Sequence, residues 1–461
     1  MKLIDAAQEL QERYDLVVIG AGPAGLSAAA TASERGLSVL LADENPAPGG
    51  QIYRSVTTTP VTQRDILGED YWKGGDLVRR FERCDADYAP RSTVWNIDRG
   101  GSGLETDHLQ IGVSLNGQAR LIAASHAIVA TGALERPFPI PGWTLPGVMT
   151  AGAAQIALKS SGLVPTGRIV IAGCGPLFFL LAAQLKAAGA SIVAMLDTTP
   201  ARNWLKAAPA LPDFLASGLL VKGLKLLASG RGGARRVGGV TGLAAEGDGA
   251  LRQVRFERGG RSETIPCDLL LLHHGVIPNL NMPNALGCAQ DWSEEQRCFV
   301  PRIDDWFVST VEGISIAGDG AGIGGADAAA PRGDLAALEA ARRIGKISVS
   351  ERDELAGPVR AKLAAAMRGR RFLDLLYRPA PSFLAPRDEA TIVCRCEEVT
   401  AGEIRRAVRD LSVQGPNQMK AFLRCGMGPC QGRLCGPTAT ELIAEERDVS
   451  PSDIGYYRLR P

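Results

Sequence analysis

A short apolar run at Asp15–Ile19, the hexapeptide GAGPAG at Gly20–Gly25, an alanine-rich stretch to Arg35 and a second apolar run, LSVLLAD, follow one another directly. Strand, glycine turn, helix and strand in that order admit one main solution, the dinucleotide-binding α/β unit. Gly20 permits the tight turn, and Gly22 lets backbone N–H groups approach a pyrophosphate. Pro23 and Ala24 open the helix, and Gly25 lets it pack closely on the sheet. The helix N-terminus then offers its partial positive charge to the phosphates. Asp43 ends the second strand, where a carboxylate accepts hydrogen bonds from an adenosine ribose. Glu44 takes that role if the register shifts by one.

The same order recurs at GRIVIAGCGPLFFLLAAQLKAAGASIVAMLD, so the chain is internally repeated. Gly173 and Gly175 hold the first two glycine positions, but Phe178 occupies the third, where bulk separates helix from sheet. NAD(P)H binding is therefore expected to be lost there, although Asp197 still ends the following strand. Three further segments make FAD the expected ligand of the first site, with another adenine nucleotide as the alternative. PAPGGQIYR, containing Gly50 and Gln51, is similar to the loop beneath the flavin in two-dinucleotide-binding-domain flavoproteins. AIVATGALERP carries a strand-ending turn with Thr131 and Gly132, and GISIAGDGAG carries Gly318 and Asp319.

The expected fold is α/β with two Rossmann-like domains of the FAD/NAD(P)-dependent pyridine nucleotide oxidoreductase type, plus a small helical C-terminal 2Fe-2S domain. Residues 1–149 and 302–350 form the FAD-binding domain, and 150–301 an inserted NAD(P)-like domain. Residues 351–389 form a helix and proline-rich linker, and 390–461 the cluster domain. His273 and His274 read as imidazoles capping a buried strand, one inward and one outward. Cys84, Cys174, Cys267, Cys288 and Cys298 are scattered and read as core thiols.

A net charge of +1 from 51 basic and 50 acidic residues gives no field to steer nucleic acid or an anionic surface. The longest apolar stretch, LFFLLAAQL, stops at Lys186, short of the ~20 residues that span a bilayer. The expectation is a cytoplasmic protein that is not integral to a membrane, with a peripheral contact at the inner membrane left open. In a reducing compartment, clustered cysteines favour metal or redox chemistry over structural disulfides.

Of ten cysteines, five fall between Cys394 and Cys435. One residue separates Cys394 from Cys396, 33 separate Cys396 from Cys430, and four separate Cys430 from Cys435. Four thiolates in two close pairs suit two bridged irons. Structural zinc more often uses knuckles with two intervening residues. Cys425 also stands four residues from Cys430, and spacing does not choose between it and Cys435. Between the pairs, Thr400 and Glu403 form a capping box, and Ile404, Ala407, Val408 and Leu411 make an inward stripe. Gly426, Gly428, Gly432 and Gly436 let backbone N–H groups reach sulfur, and Pro437 opens a final helix.

The C-terminal motif CRCEEVT…GMGPCQGRLC resembles the bacterioferritin-associated-ferredoxin type of 2Fe-2S domain. Together with the preceding domain order and ERPFPIPGWTLPGVMTAGAAQ, it resembles the A subunits of opine oxidases, of the octopine and nopaline dehydrogenase type. D-hydroxyproline dehydrogenase and hydrogen cyanide synthase subunits are relatives. The resemblance implies Cys394, Cys396, Cys430 and Cys435 as cluster ligands. It implies a heteromeric enzyme whose partner, similar to glycine or D-amino-acid oxidases, oxidises a secondary amine while this chain relays electrons to an acceptor. It leaves open FMN between the subunits and a third small subunit. The rivals are a self-contained NAD(P)H-dependent reductase and a non-catalytic electron-transfer or scaffold subunit. No catalytic acid, base or nucleophile stands out in the chain.

Overall fold

The run Arg13–Ile19 forms a strand, Pro23–Ser33 a helix and Val39–Asp43 a strand parallel to the first, with Leu16 opposite Val39 and Ile19 opposite Ala42. These assignments come from a computed structural model that describes residues 1–99, 108–229 and 234–457. The chain divides into two compact units.

The first unit comprises Met1–Ala133, Pro278–Asp291 and Val300–Met367. Its sheet runs in the order Lys2–Leu3, Asp87–Pro90, Val39–Asp43, Arg13–Ile19, Gln118–Val129, Leu109–Leu115, Ser92–Arg99, and Ile314–Ile316 also pairs with Gln118–Val129. The strands around Arg13–Ile19 are parallel, whereas Ser92–Arg99 and Leu109–Leu115 add an antiparallel meander at one edge. Buried Tyr14, Val17, Ile19, Ile111, Val113, Val129, Ile314 and Ile316 belong to one core under this sheet. Two helices pack together so closely that a Cβ on Gly333, in Ala326–Arg343, would lie 2.1 Å from the Ala24 carbonyl oxygen.

The second unit comprises Leu134–Ile277, Trp292–Phe299 and Arg368–Pro461. Five parallel strands lie in the order Arg235–Gly238, Ile192–Asp197, Ile169–Gly173, Leu269–His273, Val148–Thr150. A three-stranded antiparallel sheet, Val240–Pro266, joins their core through Val254 and Phe256. Val148–Thr150, read from sequence as the end of the first part, is thus an edge strand of this unit. Phe178 is fully buried, so its ring is packed into the interior.

The arginine-rich segment expected as one helix is two, Val349–Met367 and Arg370–Leu376, broken at Gly369 with φ +77°. The proline-rich stretch after them does not hang loose. It forms a short helix, Pro381–Leu384, whose Phe383 packs edge-on against Phe138 and His274. The C-terminal segment folds as a two-stranded ribbon, Ile392–Cys394 with Val399–Thr400, followed by helices Ala401–Leu411, Pro416–Leu423, Gly436–Arg447 and Pro451–Ile454.

Three groups tie this segment to the rest of its unit. Trp143 Nε1 donates to the Ile392 carbonyl at 2.7 Å. Arg297 meets Glu441 at 2.6 Å, and Phe299 lies 6.0 Å from Tyr456, ring to ring. Among the described residues no helix is long and apolar enough to cross a membrane.

Candidate functional sites

In the first unit the glycine turn is built as tightly as its sequence implies. Gly20 has φ +104°, and a Cβ there would stand 2.6 Å from the Ala130 oxygen. A Cβ on Gly25 would stand 1.8 Å from the Gly20 oxygen, which is the close helix–strand approach that only glycine allows. The loop after Asp43 folds back over this turn, and a Cβ on Gly50 would lie 2.7 Å from Gly22 Cα. Gln51 sits in the same loop and is exposed.

Thr131 and Gly132 continue the neighbouring strand beyond Val129. The Thr131 hydroxyl is buried with no hydrogen-bond partner, and the side-chain space of Gly132 is open. Gly318 closes on the same place, with its Cβ position 2.8 Å from Ala24 Cβ. Asp319 Oδ1 accepts from the N–H groups of Gly324 and Gly325 at 2.9 and 2.8 Å, fixing the loop that follows. Gly20–Gly25, Gly50, Thr131–Gly132 and Gly318 therefore converge, leaving a glycine-lined cradle with an unpartnered hydroxyl. Those features fit a pyrophosphate-containing flavin nucleotide.

Asp43 is buried at the end of its strand and Glu44 is exposed. The Asp43 carboxylate also staples the turn. It accepts from the Ala21 N–H and, through Oδ1, from the backbone and side chain of Asn45 at 2.6 and 2.8 Å. Sequence reasoning passed over two neighbours. The Tyr88 hydroxyl is buried without a partner, and burial, reinforced by the Asp43 charge, pushes its pKa upward. Arg332 donates to the Gly318 carbonyl at 3.0 Å and also to that of Gly322. Neither carries a local sequence signal: Arg332 reaches back to carbonyls outside any recognisable motif spacing, and Tyr88 meets the Asp43 charge only through the fold.

In the second unit neither histidine faces solvent, so the expectation of one inward and one outward imidazole is corrected. His273 Nδ1 lies 2.6 Å from Glu135 Oε1, and the other Glu135 oxygen accepts from the Gly152 N–H. His274 stacks on Phe138 with centroids 4.0 Å apart and is held neutral by burial, with Arg136 and His273 adding to the effect. His273 is satisfied by Glu135, which is distant in sequence, whereas His274 meets Thr198 Oγ1 at 3.4 Å through Nε2 and leaves Nδ1 buried without a partner. Cys84, Cys174, Cys267, Cys288 and Cys298 are all buried.

The five C-terminal cysteines come together. Sγ atoms of Cys394, Cys425 and Cys435 lie within 4.8 Å of one another and all three residues are buried. Cys430 is half-buried and Cys396 exposed. Cys396 hydrogen-bonds to Cys430, and Cys430 to Cys435, so the set is continuous.

Hydrogen bonds from Cys425 and Cys435 hold the Cys394 thiol well below the ordinary range, with Gly426 and Glu397 N–H groups assisting against burial. Cys435 likewise holds the Cys430 thiol down, with the Leu434 N–H, Cys396 and the Gly432 N–H assisting against burial. Cys396, Cys425 and Cys435 are pushed the other way, so without iron only Cys394 and Cys430 are held toward thiolate, the form that binds iron.

The glycines of the loop serve two ends. Gly426 and Gly432 aim N–H groups at sulfur as expected. Side chains on Gly426, Gly432 and Gly436 would strike Tyr457, Tyr457 and Tyr456, and one on Gly428 would stand 2.1 Å from Cys396 Cβ. Thr400 and Glu403 form the expected capping box, with bonds of 3.2 and 2.8 Å. Ile404, Ala407 and Val408 are buried, but Leu411 is 51% exposed and leaves the inward stripe. It is the last residue of its helix.

Comparison with known proteins bears on both units. Residues 14–345 match the pyridine nucleotide-disulphide oxidoreductase model, and residues 392–445 match the BFD-like [2Fe-2S] binding domain model. The A subunit of opine oxidase from Rhizobium meliloti is 48% identical, covering 100% of this chain and 87% of its own. Hydrogen cyanide synthase subunit HcnB of Pseudomonas aeruginosa is 32% identical, covering 96% of this chain and 95% of its own. Among solved structures, L-proline dehydrogenase from P. horikoshii shares the fold with a TM-score of 0.71 at 17% identity, covering 100% of this chain and 78% of that one.

Proposed function

Because the chain belongs to the family of opine oxidase A subunits within the pyridine nucleotide-disulphide oxidoreductases, with FAD and a 2Fe-2S cluster as its cofactors, we propose that it is the electron-relay subunit of a heteromeric dehydrogenase or oxidase. In this reading a partner chain similar to glycine or D-amino-acid oxidases removes two electrons from a secondary amine or amino acid, an opine or hydroxyproline among them. The observation that carries it is the pairing, in one chain, of a glycine-lined nucleotide cradle with a cluster of five cysteines.

FAD bound in the cradle supplies two-electron chemistry, and the cluster supplies one-electron transfer. The chain's own contribution is to hold them. Gly20, Gly22, Pro23, Ala24 and Gly25 would present N–H groups and the helix end to the pyrophosphate. Asp43 would keep the turn closed and meet the ribose, and Gly50, Gln51, Thr131, Gly132, Gly318 and Asp319 would complete the enclosure. Cys394, Cys396, Cys430 and Cys435 would hold iron. FMN between subunits and a third small chain belong to the same reading. So does a cytoplasmic location, free or peripheral at the inner membrane, with NAD(P) unused.

A self-contained NAD(P)H reductase is disfavoured by Phe178, which fills the interior at the second glycine turn. The test is dye-linked oxidation of opines, proline derivatives and glycine. The chain alone should be inactive, and the complex co-expressed with a glycine-oxidase-like partner should be active. Equal rates from the chain alone would refute the division of labour.

A further inference from the structure

Five thiols surround a cluster that needs four, and their arrangement says where the surplus lies. A metal with bonds of about 2.3 Å to sulfur in a tetrahedral site brings two thiolates on it to roughly 3.8 Å of each other. Sγ atoms of Cys394, Cys425 and Cys435 all lie within 4.8 Å of one another. Any two of these three thus meet the spacing of one iron's pair with small rotamer adjustments. Cys396 and Cys430, less buried than the other three, form the outer pair.

Cys394 is fixed in its role by its strand, Ile392–Cys394, which pairs with Val399–Thr400, whereas Cys425 and Cys435 lie on the loop between two helices. Cys425 and Cys435 are near-equivalents, 0% and 1% exposed. The Tyr457 hydroxyl donates to Cys425 Sγ at 3.3 Å and also reaches Cys435. Its ring is locked between Gly426 and Gly432, where any side chain would collide with it. One buried hydroxyl thus supports whichever sulfur carries the charge.

We propose that Cys425 and Cys435 are interchangeable ligands of the inner iron, with Cys394 as the constant member of that pair. This rests on the 2Fe-2S reading above. Exchange breaks one Fe–S bond to Cys435 and forms one to Cys425; the proton leaving Cys425 passes to Cys435 or, in its absence, to solvent. No oxidation state changes.

The test uses the full-length chain purified without air, measuring iron per chain, thiolate-to-iron absorption and the reduced-state EPR signal. FAD content reports folding. Cys425→Ala and Cys435→Ala should each keep iron within about twofold of the native chain, whereas the double substitution and Cys394→Ala should lower it at least tenfold. If Cys435→Ala does not fold, Cys435→Ser keeps the side-chain volume. Its absorption should then retain the all-sulfur position, because Cys425 and not the serine oxygen takes the vacancy. Loss of iron from either single variant with FAD retained would overturn the inference, as would iron retained in the double variant or an oxygen-shifted spectrum in Cys435→Ser. A native chain without iron would overturn it together with the cluster reading on which it rests.

Discussion

Replacing Gly25 by alanine should disable the nucleotide cradle while leaving the cluster intact. The added methyl would stand 1.8 Å from the Gly20 oxygen and 3.0 Å from its carbon. Ordinary carbon contacts begin at about 3.5 Å, so the helix Pro23–Ser33 would have to withdraw by more than an ångström. It has nowhere to go. On its far side the Ala24 oxygen already lies 2.1 Å from the Cβ position of Gly333, and Ala24 Cβ lies 2.8 Å from that of Gly318. Overpacking of this kind costs about 1–3 kcal/mol, and the lack of slack on both faces puts Gly25→Ala near the upper end. At roughly 2–4 °C per kcal/mol for a unit of this size, Tm should fall by about 6–12 °C.

The turn N–H groups would move with the helix, so FAD recovered with the purified protein should fall at least tenfold while iron stays at the native level. Gly223→Ala is the control, because that glycine lies inside the helix Gly218–Ser229 with open space around it and the change should raise stability by up to ~1 kcal/mol. Native FAD content and native Tm in Gly25→Ala would refute the reasoning that close helix–strand approach defines this site.

Other outcomes follow from particular contacts. Arg297→Met leaves the largely buried Glu441 without its 2.6 Å partner and should destabilise the second unit by about 3 kcal/mol in denaturant melts, more than Glu441→Gln does. Burial pushes the Glu339 carboxyl up, but bonds from Arg342, Arg352 and Arg343 outweigh it and set its pKa at about 2. Because the folded value is depressed, its stabilisation is complete above pH 4.5 and is lost as pH falls toward 2. Glu339→Gln should therefore cost ~1–2 kcal/mol at neutral pH after allowing for solvent screening, with the gap to native closing below about pH 4.5 in calorimetry. Phe178→Gly, which sequence alone suggests as a way to restore NAD(P)H binding, instead opens a cavity costing at least about 3 kcal/mol. Anaerobic NADH should bleach the flavin in neither protein, and rapid bleaching of the native chain would revive the reductase reading.

What the sequence disclosed was local. GAGPAG between two apolar runs specifies its turn because the constraint on Gly20 and Gly25 comes from neighbours in the same strand–turn–helix unit. Thr400 and Glu403 are three residues apart, and their capping box is legible for the same reason. The cysteine spacing located the cluster, yet it did not separate Cys425 from Cys435, because both project from one loop into one buried space. Tyr457, Arg332, Tyr88 and the Glu135–His273 pair were invisible, since each acts on residues far away in the chain and their own neighbours carry no period or motif. The proline-rich stretch misled in a different way. Its composition suits a spacer, but it closes a short helix, Pro381–Leu384, and Phe383 finds an aromatic pocket at Phe138 and His274 that holds it in place.

The most direct test of the relay is to add amine substrate without oxygen to this chain alone and to its complex with the oxidase-like partner, freeze each within a turnover, and record EPR. The account predicts a reduced-cluster signal in the complex, none in the isolated chain, and none in a complex carrying Cys430→Ser. A substrate-induced cluster signal in the isolated chain, at the rate and amplitude of the complex, would contradict it.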